Sequence, residues 1–230
     1  MVNISEFKDA YDNPHQRELL LRLFSTVFIK KNFFLTGGTA LSVFYAGHRR
    51  SKDIDLFLLR EINLLEYVRV FREAGKLLSV ISEGSSFCSY IYEGGIKVDY
   101  VFDKFSCSVP VNHVTINGEK INLDTPRNIA INKITAVVSR TEPKDIIDLT
   151  WLFKNIFSPE KDFLSLFNEA TKREAILEDT LFVKGVFNYI SINSDKYLDI
   201  LKPSLLINIS SYDISLIFRS FEGIMESLIK

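Results

Sequence analysis

A chain of 230 residues, 47% of them apolar, can bury a sizeable core in one large domain or two small ones. The 28 Lys and Arg residues nearly balance the 29 Asp and Glu residues, and the net charge of −1 excludes a broad electrostatic attraction to nucleic acid or membrane; a polyanionic partner must be met by local basic patches. The two cysteines, Cys88 and Cys107, lack metal-type spacing and no apolar stretch reaches the ~20 residues of a membrane span, so reduced thiols, no membrane partner and a cytoplasmic location are expected.

Asn13-Pro14 opens a helix, with Pro14 at its first position, and Leu19, Leu20, Leu23, Phe24, Val27 and Phe28 continue it as one apolar stripe to Lys30-Lys31. Phe33 to Thr36 reads as a short strand, broken by Gly37-Gly38, and Thr39 to Ala46 as a helix. The polar, basic run Gly47 to Lys52 reads as a loop, and Asp53 to Leu59 as an alternating strand. Leu64 to Ala74 has helical spacing and closes on Gly75. Leu77–Ser82, Phe87–Tyr92 and Ile96–Phe102 read as strands, the last two joined at Gly94-Gly95. Asn117-Gly118 signals a second hairpin. From Thr125-Pro126 onward the spacing is helical. The expected organisation is an α/β core over residues 1–124 followed by a helical region over 125–230.

The chemistry is concentrated in Asp53-Ile54-Asp55-Leu56. On a strand, alternate side chains share a face, so Asp53 and Asp55 project together, roughly 6.6 Å apart along the chain, opposite Ile54, Leu56 and Leu58. They can converge on one hard cation such as magnesium or bridge two, and two ions ~3.5–4 Å apart suit phosphoryl displacement. Asp99, on the strand-like run Lys97 to Phe102, is the third acid if that strand lies beside the first, with Asp103 at the strand end as the competing candidate. An Asp-x-Asp pair alone is weak evidence, since solvated strand faces carry such pairs. A turn before it strengthens the reading: Gly37-Gly38 lets backbone approach a phosphate, with Thr36 and Thr39 as hydroxyl donors. Neither standard glycine-rich nucleotide motif occurs.

Phe34-Leu35-Thr36-Gly37-Gly38-Thr39-Ala40-Leu41, with Tyr45, His48-Arg49, Ser51 and Asp53-Ile54-Asp55-Leu56 after it, resembles the AbiEii/AbiGii-type nucleotidyltransferases. These belong to the DNA polymerase β-like superfamily and include toxins of toxin–antitoxin pairs, the MenT group among them. Asn132-Lys133, Arg140 and Lys144-Asp145-Ile146-Ile147-Asp148-Leu149 extend the resemblance, which covers roughly residues 33–152. It implies a polymerase β-like core, a small mixed sheet flanked by helices, with a helical C-terminal region. It also implies a nucleoside triphosphate donor, magnesium as one or two ions, release of pyrophosphate, and an acceptor that in some relatives is the 3′ end of transfer RNA. A cognate antitoxin protein is then an expected partner.

On that resemblance Asp53, Asp55 and Asp99 are the metal ligands and, with Lys133 and Asp148, the catalytic set. Gly37, Gly38, Thr39, Arg49, Ser51, Lys133 and Arg140 are the nucleotide-binding set. Lys133 would meet the terminal phosphates as a point charge, and Asp148 would orient it. Asp145 reads more simply as a helix-start carboxylate. A small-molecule acceptor of the aminoglycoside type, a protein acceptor, and a nucleotide-binding protein without catalysis are the competing readings.

Overall fold

The structure is a computed structural model that describes residues 4–107 and 109–229. Seven strands form one mixed sheet: β1 (Phe33–Thr36), β2 (Ile54–Leu58), β3 (Leu77–Glu83), β4 (Phe87–Tyr92), β5 (Ile96–Val101), β6 (Asn112–Ile116) and β7 (Glu119–Leu123), in the order β3-β4-β5-β2-β1-β7-β6. The helices are α1 (Pro14–Ser25), α2 (Val27–Asn32), α3 (Gly37–Leu41), α4 (Val68–Glu73), α5 (Pro126–Arg140), α6 (Pro143–Asn155), α7 (Pro159–Thr171), α8 (Thr180–Ile192), α9 (Ser194–Leu201) and α10 (Ser211–Ile229). The chain divides into two compact units after Asn128, in the first turn of α5. No helix among the described residues is long and apolar enough to cross a membrane.

In the first unit, β1 runs antiparallel to β2, and β2 runs parallel to β5. Phe33, Leu35, Ile54, Leu56, Leu58, Val98 and Tyr100 are fully buried. Their face carries a ring cluster in which Phe71 of α4 stacks on Tyr100 at 4.1 Å and Phe33 meets Tyr100 edge-on at 5.7 Å. Both hairpins turn where residues with positive φ allow it: Gly94 and Gly95, then Asn117 and Gly118.

Local chemistry explains where the helices depart from the sequence pattern. The apolar stripe of residues 19–28 predicts one helix, but Thr26 is extended (φ −74°, ψ 121°) and separates α1 from α2. The hydroxyls of Ser25 and Thr26 both bond the Arg22 carbonyl and offer the chain an alternative to the helical ladder. The segment after Asn63 starts as a 3₁₀ turn (Leu64–Tyr67), capped by the Asn63 side chain on the Leu65 amide. α3 continues as a π-helical turn, Ser42–Ala46, which Gly47 ends in the left-handed region.

The second unit is helical. In α10, Ile214, Ile217, Phe218, Phe221 and Met225 recur at helical spacing and are buried. Phe221 stacks on Phe163 at 4.1 Å and meets Phe153 edge-on at 4.7 Å, with Phe187 and Phe218 within 5.5 Å. Truncating a fully buried ring in such a cluster removes its transfer energy and leaves a cavity. Phe221→Ala is therefore expected to lower stability by about 3–5 kcal/mol in urea unfolding. A loss below ~1 kcal/mol would mean that the ring cluster does not hold this unit.

Candidate active site

Strand register assembles the candidate site. Thr36 pairs with Asp55, Asp55 with Asp99, and Asp99 with Ser89, so one polar row crosses β1, β2, β5 and β4. This row lies on the face opposite the ring cluster. Continuing the same register one step puts Asp53 beside Lys97. Asp53 and Asp55 are half-buried, whereas Ile54 and Leu56 are fully buried, as the alternation requires.

The two glycines at the end of β1 are demanded by what faces them. Gly37 has φ +68°, and a Cβ there would lie 2.3 Å from Asp55 Oδ2. A Cβ on Gly38 would lie 2.5 Å from Arg49 Nη2 and 3.0 Å from Ser51 Oγ. The close approach that the Gly-Gly turn permits is thus taken by the Asp55 carboxylate and the Arg49 guanidinium. Thr39 is fully buried; its hydroxyl bonds the Asp53 carbonyl and shares a 2.9 Å hydrogen bond with Ser51 Oγ. Thr39 and Ser51 therefore tie α3 to the loop that delivers Asp53. Arg49 is 4% exposed and donates to the Arg50 carbonyl, while Arg50 and Lys52 are exposed.

Asp99 is committed on both oxygens. Ser89 Oγ donates to Oδ1 at 2.6 Å, and Lys97 Nζ donates to Oδ2 at 2.5 Å. Burial works against the Lys97 charge, but the Asp99 hydrogen bond and the fields of Asp99, Asp53 and Asp55 outweigh it and raise its pKa. Register brings the three acids together as the sequence suggests, yet no group of three His, Cys, Asp or Glu side chains among the described residues is arranged to hold a metal. Lys97 has a signal in the sequence, since it shares a strand face with Asp99 two residues on; Ser89 has none.

A buried carboxylate outside the sequence-derived set braces the turn from below. Asp124, fully buried after β7, accepts from Thr36 Oγ1 at 2.5 Å, from the Thr125 amide at 2.8 Å and from Asn128 Nδ2 at 2.9 and 2.8 Å. Tyr45 donates to the Asp124 carbonyl at 2.7 Å. Burial pushes the Tyr45 phenol up to about 12, against the Asn112 amide that lowers it, so it stays a neutral donor.

In the second unit, Lys133 Nζ lies 2.6 Å from both Asp145 Oδ1 and Asp148 Oδ2. Arg140 holds the other Asp145 oxygen, with Nη2 at 2.7 Å. Asp145 and Asp148 are fully buried, and Lys133 is 6% exposed. Asp145 lies in the first turn of α6, the helix-start place read from the sequence, and is as much a partner of Lys133 as Asp148 is.

The mixed sheet that presents an Asp-x-Asp strand beside a Gly-Gly turn, followed by a helical region, has the fold of solved nucleotidyltransferases. The family model for the nucleotidyl transferase AbiEii toxin of type IV toxin–antitoxin systems matches residues 18–204, and the chain belongs to that family and to its enzyme class. JHP933 of Helicobacter pylori has a similar fold (TM-score 0.50) at 18% identity, over 93% of this chain and 91% of that one. MenT4, a nucleotidyltransferase toxin of Mycobacterium tuberculosis, is similar at TM-score 0.51 and 13% identity, over 92% of this chain and 85% of that one. No curated protein sequence matches the chain.

The Lys133 cluster has a direct stability consequence. Lys133 is the cation within 2.6 Å of both buried carboxylates, so Lys133→Ala is expected to cost about 3–5 kcal/mol in urea unfolding. Arg140, whose side chain is half exposed, should cost far less when truncated. Equal losses for the two variants would contradict the central position assigned to Lys133.

Proposed function

We propose that this nucleotidyltransferase toxin depends on magnesium and moves a nucleoside monophosphate from a nucleoside triphosphate onto RNA, with the 3′ end of transfer RNA as acceptor. Its proposed setting is the cytoplasm, where an antitoxin protein is the second member of the pair. The observation that carries the reading is the seating of Asp55 against Gly37, on the strand face that also presents Asp53. Two hard carboxylates on one face match the ligand preference of magnesium. The exposed cations Arg50 and Lys52, next to Asp53, favour a polyanionic acceptor over a small neutral one. The free thiols Cys88 and Cys107 are consistent with a reducing compartment.

In the proposed reaction the acceptor hydroxyl attacks the α-phosphorus, the bond to the α–β bridging oxygen breaks, and pyrophosphate leaves. Asp53 and Asp55 would hold the metal, which supplies Lewis-acid stabilisation of the developing charge. The chain itself contributes positioning and fixed charge, as phosphoryl transfer requires. Gly37 and Gly38 give Asp55 and Arg49 their places, and Arg49 is the proposed phosphate partner on this unit. Asp99 completes the acidic set through its contact with Lys97. Lys133 and Arg140 are proposed as further phosphate charges, with Asp148 orienting Lys133.

Incubation with magnesium, each α-labelled nucleoside triphosphate in turn and total RNA tests the proposal. Label is expected in RNA of transfer-RNA size with at least one nucleotide, and Asp53→Ala should reduce it at least about 100-fold, equivalent to ~2.7 kcal/mol of barrier. Label in protein or a small molecule instead would overturn the acceptor. Transfer that survives Asp53→Ala would overturn the site.

A further inference from the structure

The polar row that carries Asp55 and Asp99 has an apolar neighbour. Strand register pairs Phe34 with Phe57, Phe57 with Val101, and Val101 with Phe87, so a second row crosses β1, β2, β5 and β4. It lies two residues along from the row of Thr36, Asp55, Asp99 and Ser89, and therefore on the same face of the sheet, ~6.6 Å away. Exposure rises along it. Phe34 is fully buried and meets Phe57 edge-on at 6.2 Å, Phe57 and Val101 are half-buried, and Phe87 is 39% exposed. On the opposite face, the row of Leu56, Tyr100 and Cys88 is fully buried. Core packing thus seals one face and leaves part of an aromatic row accessible on the other, beside the candidate site. Exposed large apolar side chains in a contiguous row are informative, because their burial by a ligand is favourable.

We propose that this row is a stacking platform for a nucleobase at the transfer site, with Phe57 and Phe87 as its binding side chains. The inference rests on the nucleotide-transfer reading given under the proposed function and deepens it by placing a base. That base belongs to the donor nucleoside triphosphate or to the 3′-terminal nucleotide of the acceptor RNA, and both present the same flat π surface. A ribose holds its base away from its phosphate by a reach comparable to the spacing of the two rows. A phosphate at the acidic row therefore brings its base over the aromatic one. Phe57, Val101 and Phe87 carry no hydrogen-bonding side-chain group, so the row holds any base by its face and does not choose among bases.

Calorimetric binding in the presence of magnesium tests the platform and separates the two sources without relying on turnover. The ligands are each nucleoside triphosphate as a non-hydrolysable analogue, inorganic triphosphate, and an RNA hairpin with a single-stranded 3′ end, either intact or with an abasic terminal nucleotide. The variants are Phe57→Leu and Phe87→Ala, which remove a ring, and Phe57→Tyr, which keeps one. If the base is the donor's, both truncations weaken nucleoside triphosphate binding at least about tenfold, ~1.4 kcal/mol, and leave inorganic triphosphate within about threefold. If it is the acceptor's, nucleoside triphosphate binding is unchanged, the intact hairpin weakens by the same factor, and the abasic hairpin does not. Phe57→Tyr stays within about threefold of the wild type in either case. Unchanged binding of every ligand by both truncations would overturn the platform. So would an equal loss for ligands with and without the base, which marks a disturbed site rather than a lost stack. A wild-type chain that binds neither nucleoside triphosphate nor hairpin would overturn the nucleotide-transfer reading, and the platform with it. Unfolding curves check that the sheet is retained in Phe57→Leu, and Phe87→Ala, at the exposed end of the row, decides the matter if it is not.

Discussion

The contact between the Asp55 carboxylate and the backbone of Gly37 is the constraint on which the rest of the site depends. It exists because β1 and β2 are antiparallel neighbours with Thr36 opposite Asp55. That pairing delivers Asp55 to the point where the chain leaves the sheet in the left-handed conformation of Gly37. With no Cβ at Gly37, the carboxylate can lie against the turn, and Gly38 gives Arg49 the same freedom. Everything else on the polar face is arranged around these two approaches. Thr39 and Ser51 lock the loop that carries Asp53, and Asp124 locks the Thr36 side of the turn.

Ionic groups in this protein come in compensated clusters, and the clusters differ in character. Lys133 with Asp145 and Asp148 is fully enclosed, so its charges gain little against an apolar packing of the same volume but are costly to break. On the polar face, Asp99 is held by Ser89 and Lys97, and Asp53 and Asp55 beside it are half-buried. A buried cluster suits rigidity, and a half-open one suits chemistry. The same residue types serve both because burial and partner count, rather than identity, decide what a carboxylate does.

Much of the fold was legible in the sequence because it is written in short-range patterns. The four-residue run at Phe33, the alternation through Asp55 and the Asn117-Gly118 turn each specify their element locally, and the observed β1, β2 and the β6–β7 hairpin follow them. The break at Thr26 was hidden because the apolar stripe continues across it while side-chain hydroxyls compete for the backbone. The site divides in the same way. Asp53, Asp55 and Asp99 are visible as types at spacings, but the commitment of Asp99 to Ser89 depends on the pairing of β4 with β5, a long-range fact. Asp145 was missed as a partner of Lys133 because it sits at a helix start, where a carboxylate has a sufficient local explanation.

The seating of Asp55 against Gly37 can be tested directly with Gly37→Ala. The added methyl meets the end of a movable side chain, so the carboxylate should turn away while the sheet persists, at a backbone cost of about 1–3 kcal/mol for the left-handed alanine. Measured per folded molecule, nucleotide transfer should fall at least about tenfold, ~1.4 kcal/mol of barrier. Transfer equal to that of the wild type in the folded variant would contradict the claim that this contact sets the site.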